Sequence, residues 1–533
     1  MSSLGKRLLT AATAGLVVAT GAAVPAAAEP GPAAAVDRFP TPALNWYKCY
    51  TSAECAVVRL PLDYDEPGGD TTEVALLRVR AKNPAARIGT LFVNPGGPGG
   101  PATDLALSSP AVLSAGLQER FDIVGVDPRG VGASTNVRCW KSHRQQAANL
   151  EAVTATFPWG RAEERSYLAG VRKLGRACST TGRPLSGAMS TAEVVRDLEV
   201  LRRAVGDDKL SFLGFSYGSA VGQYYANMFP GRFRAIAVDG VIDPEHWVGT
   251  PATADQEQDS RLRSGAASYR ALREILARCD KVGEKYCRFA AGNPVKNFER
   301  IAVRLRQKPL VVTDEYGGFT LTYPAFVMAV LGGMYAADAA DSVTGLAASV
   351  WALLHPPSAG GAAAALRTGM RDARSRPGRD FPYVNSVDAF SGVLCTDALH
   401  PRDAAQWPAL AAAADKRAPY FGRSWVWGSA QCARDTWTVR DEDAYMGPWN
   451  KDTAAPVLFV GAKWDPATNY DDAVSASRRL PKGALLTSTN WGHTSYTSSA
   501  CVAGHVETYL ITGRPPARGT VCAGEYQPFA RPL

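Results

Sequence analysis

The sequence predicts an α/β fold in which a mostly parallel central sheet is interrupted by a largely helical insertion. Three observations carry that reading. Short, continuously apolar runs alternate with helical patterns up to about residue 245, as expected of strands buried on both faces. The alternation stops over residues 246–450 and resumes with two further buried runs after 451. A serine also stands between two glycines at the end of one such run, in "LSFLGFSYGS".

The elements follow in order. Residues 1–28 carry Lys6 and Arg7, an apolar stretch and the small-residue run Ala26-Ala27-Ala28, the pattern of a secretory signal peptide. The protein is therefore expected to be secreted and extracellular. No cysteine precedes Cys49, which argues against a lipid-anchored signal, and no later run reaches about 18 uninterrupted apolar residues, so no membrane anchor is expected. Residues 29–44, "EPGPAAAVDRFPTPAL", read as a flexible N-terminal segment or propeptide.

A first part of the core is assigned to 45–245. "AECAVVRLPLDY" and "TEVALLRVRA" read as a pair of edge strands, and "IGTLFVNPGG", "FDIVGVDPRG", "KLSFLGF" and "FRAIAVDGVI" as buried ones. Between them, "STAEVVRDLEVLRRAVG" puts Val194, Val195, Leu198, Leu201 and Val205 on one helical face, with Ser190 as its cap. Residues 246–450 form a mostly helical cap, including the long pattern "AFVMAVLGGMYAADAADSVTGLAASVWALL" and a Gly/Ala-rich break at "PPSAGGAAAA". Residues 451–533 return to the core through "APVLFVGAKWD" and "GALLTSTNWGH".

Composition narrows the function classes. The 533 residues are 46% apolar and 20% charged, which is ordinary for a globular protein. The net charge of +8 is spread along the chain without a long basic run, so no nucleic-acid partner is expected. Ten cysteines suit an oxidising compartment. They fall into five neighbouring pairs: Cys49 and Cys55, Cys139 and Cys178, Cys279 and Cys287, Cys395 and Cys432, Cys501 and Cys522. No Cys-x-x-Cys spacing offers a zinc site. No cofactor or metal is implied, and the chain is expected to act as a monomer.

Gly214-Phe215-Ser216-Tyr217-Gly218 fits a tight turn from strand to helix that exposes a serine nucleophile. Such a serine needs a base. His143 precedes it, His246 opens the insertion, His355 and His400 lie within the insertion, and His505 sits in a helical stretch. His493 alone follows a late buried strand in a loop. The acid that would orient its imidazole is Asp465, at the end of "PVLFVGAKWD"; Asp243 is the alternative, and Asp239 lies too close to its strand. Upstream, the glycines of "FVNPGGPGGPA" let backbone amides approach a substrate, so Gly97 and Tyr217 are assigned as oxyanion donors, with Gly96 as the alternative to Gly97. A P-loop is excluded because the Lys-Ser/Thr it requires is missing.

With "NPGGPGG", "FDIVGVDPRGVGAST", "LGFSYGS", "GAKWDPAT", "GHTS" and the tail "CVAGHVETYLITGRPPARGTVC" in place, the chain resembles the secreted actinobacterial tripeptidyl aminopeptidases of the proline-iminopeptidase-like α/β-hydrolase family. The resemblance extends over almost everything after the signal. It implies the α/β-hydrolase fold and serine exopeptidase activity on peptides with free N-termini, with Ser216, Asp465 and His493 in the catalytic roles. Asn94-Pro95 stand where the proline iminopeptidases usually carry a histidine. Enzymes of this kind hold the substrate α-ammonium with carboxylates from the cap, for which Glu245, Asp255, Glu257 and Asp259 are the candidates; acids at a helix start equally suit the dipole. An esterase of small acyl substrates would use the same triad, and a non-catalytic binding protein would keep only the fold.

Overall fold

The computed structural model describes residues 32–154, 156–314, 317–355, 366–367 and 383–533. The expected signal peptide, the start of the segment expected to be flexible and the break at 356–365 lie outside the described residues.

A ten-stranded sheet forms the centre. Its strands are β1 (Tyr47–Tyr50), β2 (Ala53–Pro61), β3 (Thr71–Val79), β4 (Gly89–Asn94), β5 (Phe121–Val126), β6 (Leu210–Phe215), β7 (Phe233–Asp239), β10 (Val457–Trp464), β11 (Gly483–Trp491) and β12 (Val521–Cys522). Two more, β8 (Leu310–Asp314) and β9 (Gly317–Leu321), form a separate antiparallel hairpin. The sheet order is β1-β2-β3-β5-β4-β6-β7-β10-β11-β12. β1, β2 and β3 pair antiparallel at one edge, β3 joins β5 antiparallel, and every pairing from β5 onward is parallel.

Side-chain alternation explains why the central strands are largely apolar. In β4, Phe92 enters the core on one face while Leu91 and Val93 enter the core on the other. In β6, Phe212 and Leu213 divide the same way, and in β10 so do Phe459 and Leu458. A strand that buries both faces has little room for polar residues, hence the largely apolar runs, with Thr90 and Asn94 in β4 and Ser211 in β6 as buried exceptions. On one side of the sheet lies the helix Thr191–Ala204, whose Ser190 cap accepts from Glu193 N–H.

Between β7 and β10 the chain supplies most of a third core, around Ile275, Phe298, Phe326, Trp407 and Trp427, which also takes in Tyr167, Leu168 and Val171 from before β6 and Trp491 of β11. The segment between β7 and β10 is mostly helical but includes the β8–β9 hairpin. The long pattern read at 325–354 is two helices, Tyr323–Gly333 and Ala339–Leu354. Gly332-Gly333 ends the first, and the turn that follows carries Tyr335 to the site described below.

The segment expected to be flexible holds a helix, Pro32–Arg38, in which Ala35 and Val36 are buried. Arg203 donates to Val36 O and Phe39 O, and Arg232 pairs with Asp37. All five neighbouring cysteine pairs form disulfides. Among the described residues no helix is long and apolar enough to cross a membrane.

Candidate active site

Ser216 sits where β6 turns into the helix Gly218–Met228, at φ 55°. A left-handed backbone on a non-glycine residue is strained, and such strain gathers at functional turns. The turn closes only because its flanks are bare: a Cβ on Gly214 would fall 2.2 Å from Gly218 O, and one on Gly218 would fall 2.7 Å from Asn94 O. The Ser216 N–H donates to Asp239 O at 2.9 Å, tying the turn to the end of β7.

The glycine loop after β4 lies directly on this turn. Gly96 has φ 90°, and a Cβ there would meet Phe215 O at 2.4 Å, Tyr217 N at 2.8 Å and Ser216 Cβ at 3.0 Å. Asn94 Oδ1 accepts from Gly96 N–H at 2.9 Å and fixes the loop. Gly97, Pro98 and Ser216 line one cavity of about 340 Å³. Tyr217 occupies the N-cap position of the helix behind Ser216, where backbone amides point outward unpaired.

Asp465 and His493 are joined. His493 Nδ1 lies 2.9 and 3.0 Å from the two Asp465 oxygens. The carboxylate is nearly inaccessible and also accepts from Ala467 N–H, Thr468 N–H and the Thr468 hydroxyl. Burial works to raise the Asp465 carboxyl, but the charge and hydrogen bond of His493 hold it below its ordinary value. Burial works to depress the imidazole, and the Asp465 carboxylate, with Asp239 behind it, raises it above its ordinary value instead.

Ser216 and His493 both pack against the end of β7. A Cβ on Gly240, next to the Asp239 that holds Ser216, would lie 3.2 Å from His493 Cε1. Among the described residues, the Ser216 hydroxyl forms no hydrogen bond with His493. Such bonds often tighten only when substrate is bound.

Asp239, set aside from the sequence as too near its strand, links both sides of the site. Its carbonyl accepts from Ser216 N–H, and its carboxylate accepts from Ser495 N–H at 2.8 Å and Tyr496 N–H at 2.7 Å. Burial pushes its carboxyl up to about 6. Asp243, the alternative acid, is engaged elsewhere: it caps the helix Pro244–Val248 and pairs with Arg479 at 3.0 Å. Three of the other histidines also have partners of their own, His355 bonding Trp351 O. His246 pairs with Asp472, and buried His400, pushed down to about 3 by burial, bonds Leu394 O.

The insertion supplies what the sequence did not show. Tyr335, in the break between two helices, lines the cavity, accepts from His493 N–H through its carbonyl and packs its ring 5.1 Å from the imidazole. Val241, Ile242, Trp247, Leu262, Leu331 and Phe390 give the cavity apolar walls. Asp259 and Asp472 add carboxylates to its lining. Glu257 is buried beside Asp259, whose N–H it accepts at 2.7 Å, and the nearest cation to it, Arg417, stands 4.0 Å away. Burial raises both carboxyls, and the charge of Glu257 adds to the rise at Asp259. Glu245 pairs with Arg479, and Asp255 is exposed. Asp472 had no signal in the sequence, since an acid in the first turn of a helix is commonplace.

Two family models match the chain: the alpha/beta hydrolase fold over residues 89–276 and a TAP-like protein region over 418–522. Carboxylesterase B of Mycobacterium tuberculosis is 31% identical over 481 residues, covering 89% of this chain and 86% of that one. The chain belongs to the α/β-hydrolase family. It is a serine hydrolase of that family. It is also similar to serine protease Hip1 of Mycobacterium tuberculosis, at 29% identity over 90% of this chain and 91% of that one. Tripeptidyl aminopeptidase of Streptomyces lividans is 27% identical over 93% of this chain and 90% of that one.

Proposed function

We propose that this α/β-hydrolase is a secreted serine exopeptidase that releases short peptides, tripeptides above all, from free N-termini. The observation that carries the reading is the Asp259 carboxylate on the same cavity as Ser216; the other carboxylate of the lining, Asp472, is already paired with His246 and Arg263. Asp259 and its neighbour Glu257 repel one another with only a distant cation between them. A substrate α-ammonium supplies the missing charge, and paired carboxylates short of a counter-ion favour it.

In this reading Ser216 Oγ attacks the scissile carbonyl carbon while His493 Nε2 takes its proton. The Nδ1–H donates to Asp465, which fixes the tautomer and stabilises the imidazolium. The N–H groups of Gly97 and Tyr217 receive the carbonyl oxygen as it becomes negative. His493 returns the proton to the departing amine, leaving the peptide as an ester on Ser216. Water, activated by the same histidine, releases it.

The experiment compares kcat/KM for a free and an N-acetylated version of one tripeptide anilide. Acetylation removes the ammonium and leaves a carboxylate unpaired. A charge-assisted bond of about 1.5–3 kcal/mol is lost, so turnover falls about tenfold to a hundredfold. Equal values would overturn the aminopeptidase reading. The apolar walls of the cavity and the similarity to Carboxylesterase B support a second reading, an esterase of small acyl substrates. Faster turnover of short-chain esters than of either anilide would favour it.

A further inference from the structure

The helix Ser386–Asp397 lies between β7 and β10, yet it reaches both segments assigned as oxyanion donors, the glycine loop directly and Tyr217 through Thr191. At its start, Phe390 lines the cavity, and a Cβ on Gly99 would lie 3.3 Å from Phe390 N and 3.4 Å from Ala389 Cβ. At its end, Asp397 is buried against the core. One carboxylate oxygen accepts from Thr191 N–H at 2.5 Å; the other accepts from the Thr191 hydroxyl at 2.5 Å and from Trp247 Nε1–H at 2.8 Å. The Thr191 hydroxyl is in turn 2.5 Å from the Tyr217 hydroxyl. Thr191 has one hydroxyl proton, spent on Asp397, so the Tyr217 O–H donates to Thr191. The Tyr217 ring packs 5.5 Å from Trp247, which lines the cavity.

We propose that Asp397 is a positioning residue for the oxyanion pocket, acting through Thr191 and Trp247 on Tyr217. The side chain of Tyr217 is nearly inaccessible and cannot meet substrate; its backbone N–H is the group that matters to the reaction. Locking the phenol at its far end fixes the peptide plane next to Ser216. A displacement of about 1 Å at such a donor costs on the order of a hundredfold in rate. The same carboxylate holds Trp247, so the cap helix, the donor and a cavity wall share one anchor. Three donated hydrogen bonds demand an acceptor on both oxygens, which an amide in place of the carboxylate cannot offer.

This inference rests on the reading of Ser216 and Tyr217 above, and the experiment keeps the two apart. It uses the full chain with whichever of the tripeptide anilide or short ester is turned over faster. Thr191→Val removes the hydroxyl link and keeps the main-chain bond to Asp397; Tyr217→Phe removes the other end; Asp397→Asn places a donor where acceptors are needed. In Thr191→Val, kcat should fall about tenfold to a hundredfold while KM stays within about twofold. The affinity of a trifluoromethyl ketone analogue, whose tetrahedral adduct places an oxyanion at the same donors, should weaken by the same factor. Thr191→Ser, which keeps the hydroxyl, should recover most of the lost kcat. An unchanged kcat and inhibitor affinity in folded Thr191→Val and Tyr217→Phe would overturn the inference, as would a loss carried wholly by KM. If a fluorophosphonate failed to label the wild-type protein and Ser216→Ala kept full turnover, the site reading itself would fall, and the inference with it.

Discussion

His493 Nδ1 stands 2.9 Å from Asp465 Oδ2, on a carboxylate that four other donors already hold. Because an ionised carboxylate only accepts, Nδ1 carries the proton and Nε2 is left free to act as base. Burial works against the charged imidazole, but the Asp465 carboxylate raises it above its ordinary value. The base is therefore inactive until pH exceeds that raised value. The acid limb of kcat/KM against pH should fall above the ordinary histidine value of about 6.5. In Asp465→Asn that limb should move to lower pH.

Stability should run the other way over the same window. A histidine raised by folding contributes stability that is fully present below its unfolded value and is lost as pH rises through the folded one. His246, raised beside Asp472 although burial opposes it, adds a slope of the same sign. Asp465, lowered by folding despite its burial, stays ionised here, and its contribution is lost only when acid falls through its folded value. Melting temperature should therefore decline with pH above about 6.5 as activity climbs. Replacing His493 by Gln should flatten part of that decline.

Asp465 and Asp243 should separate cleanly on substitution. Asp465→Asn should leave a folded protein with kcat lower by on the order of ten-thousandfold, since the wrong tautomer is then favoured. Asp243→Asn breaks the pair with Arg479 and should cost about 3 kcal/mol of stability. Its kcat, measured well below the melting temperature, should change little. A larger kcat loss in Asp243→Asn would reverse the assignment.

Gly96 leaves no room for a side chain. A Cβ would press on Phe215 O at 2.4 Å and Tyr217 N at 2.8 Å, both backbone atoms of the serine turn, at a φ that side chains rarely adopt. Gly96→Ala should therefore lower kcat and slow fluorophosphonate labelling of Ser216 together. A variant labelled at the wild-type rate would show that loop and turn are not coupled.

Asp259→Asn should remove most of the difference between free and acetylated tripeptide anilides, by slowing only the free one. Asp472→Asn tests the other carboxylate on the cavity in the same way. If both variants keep the full difference, the ammonium is held elsewhere.

The buried strands, the serine turn and the glycine loop were legible in the sequence, because each rests on a local rule. A strand covered on both faces has to be largely apolar along its length. A tight strand-to-helix turn has to be flanked by residues without side chains. Cysteines close in the chain pair for the same local reason, and the five disulfides follow neighbouring positions. Tertiary packing alone decided the rest. Nothing near Asp239 in the chain shows that its carboxylate would hold the backbone of Ser495 and Tyr496, more than 250 residues away. Tyr335 reads as part of one long helical pattern until a break places it on His493. Asp397 and Asp472 are ordinary acids at helix ends in the sequence. They became a cavity wall and an anchor because the segment between β7 and β10 packs against the core around Ser216. The residues that meet there are chosen by that docking, which no spacing along the chain encodes.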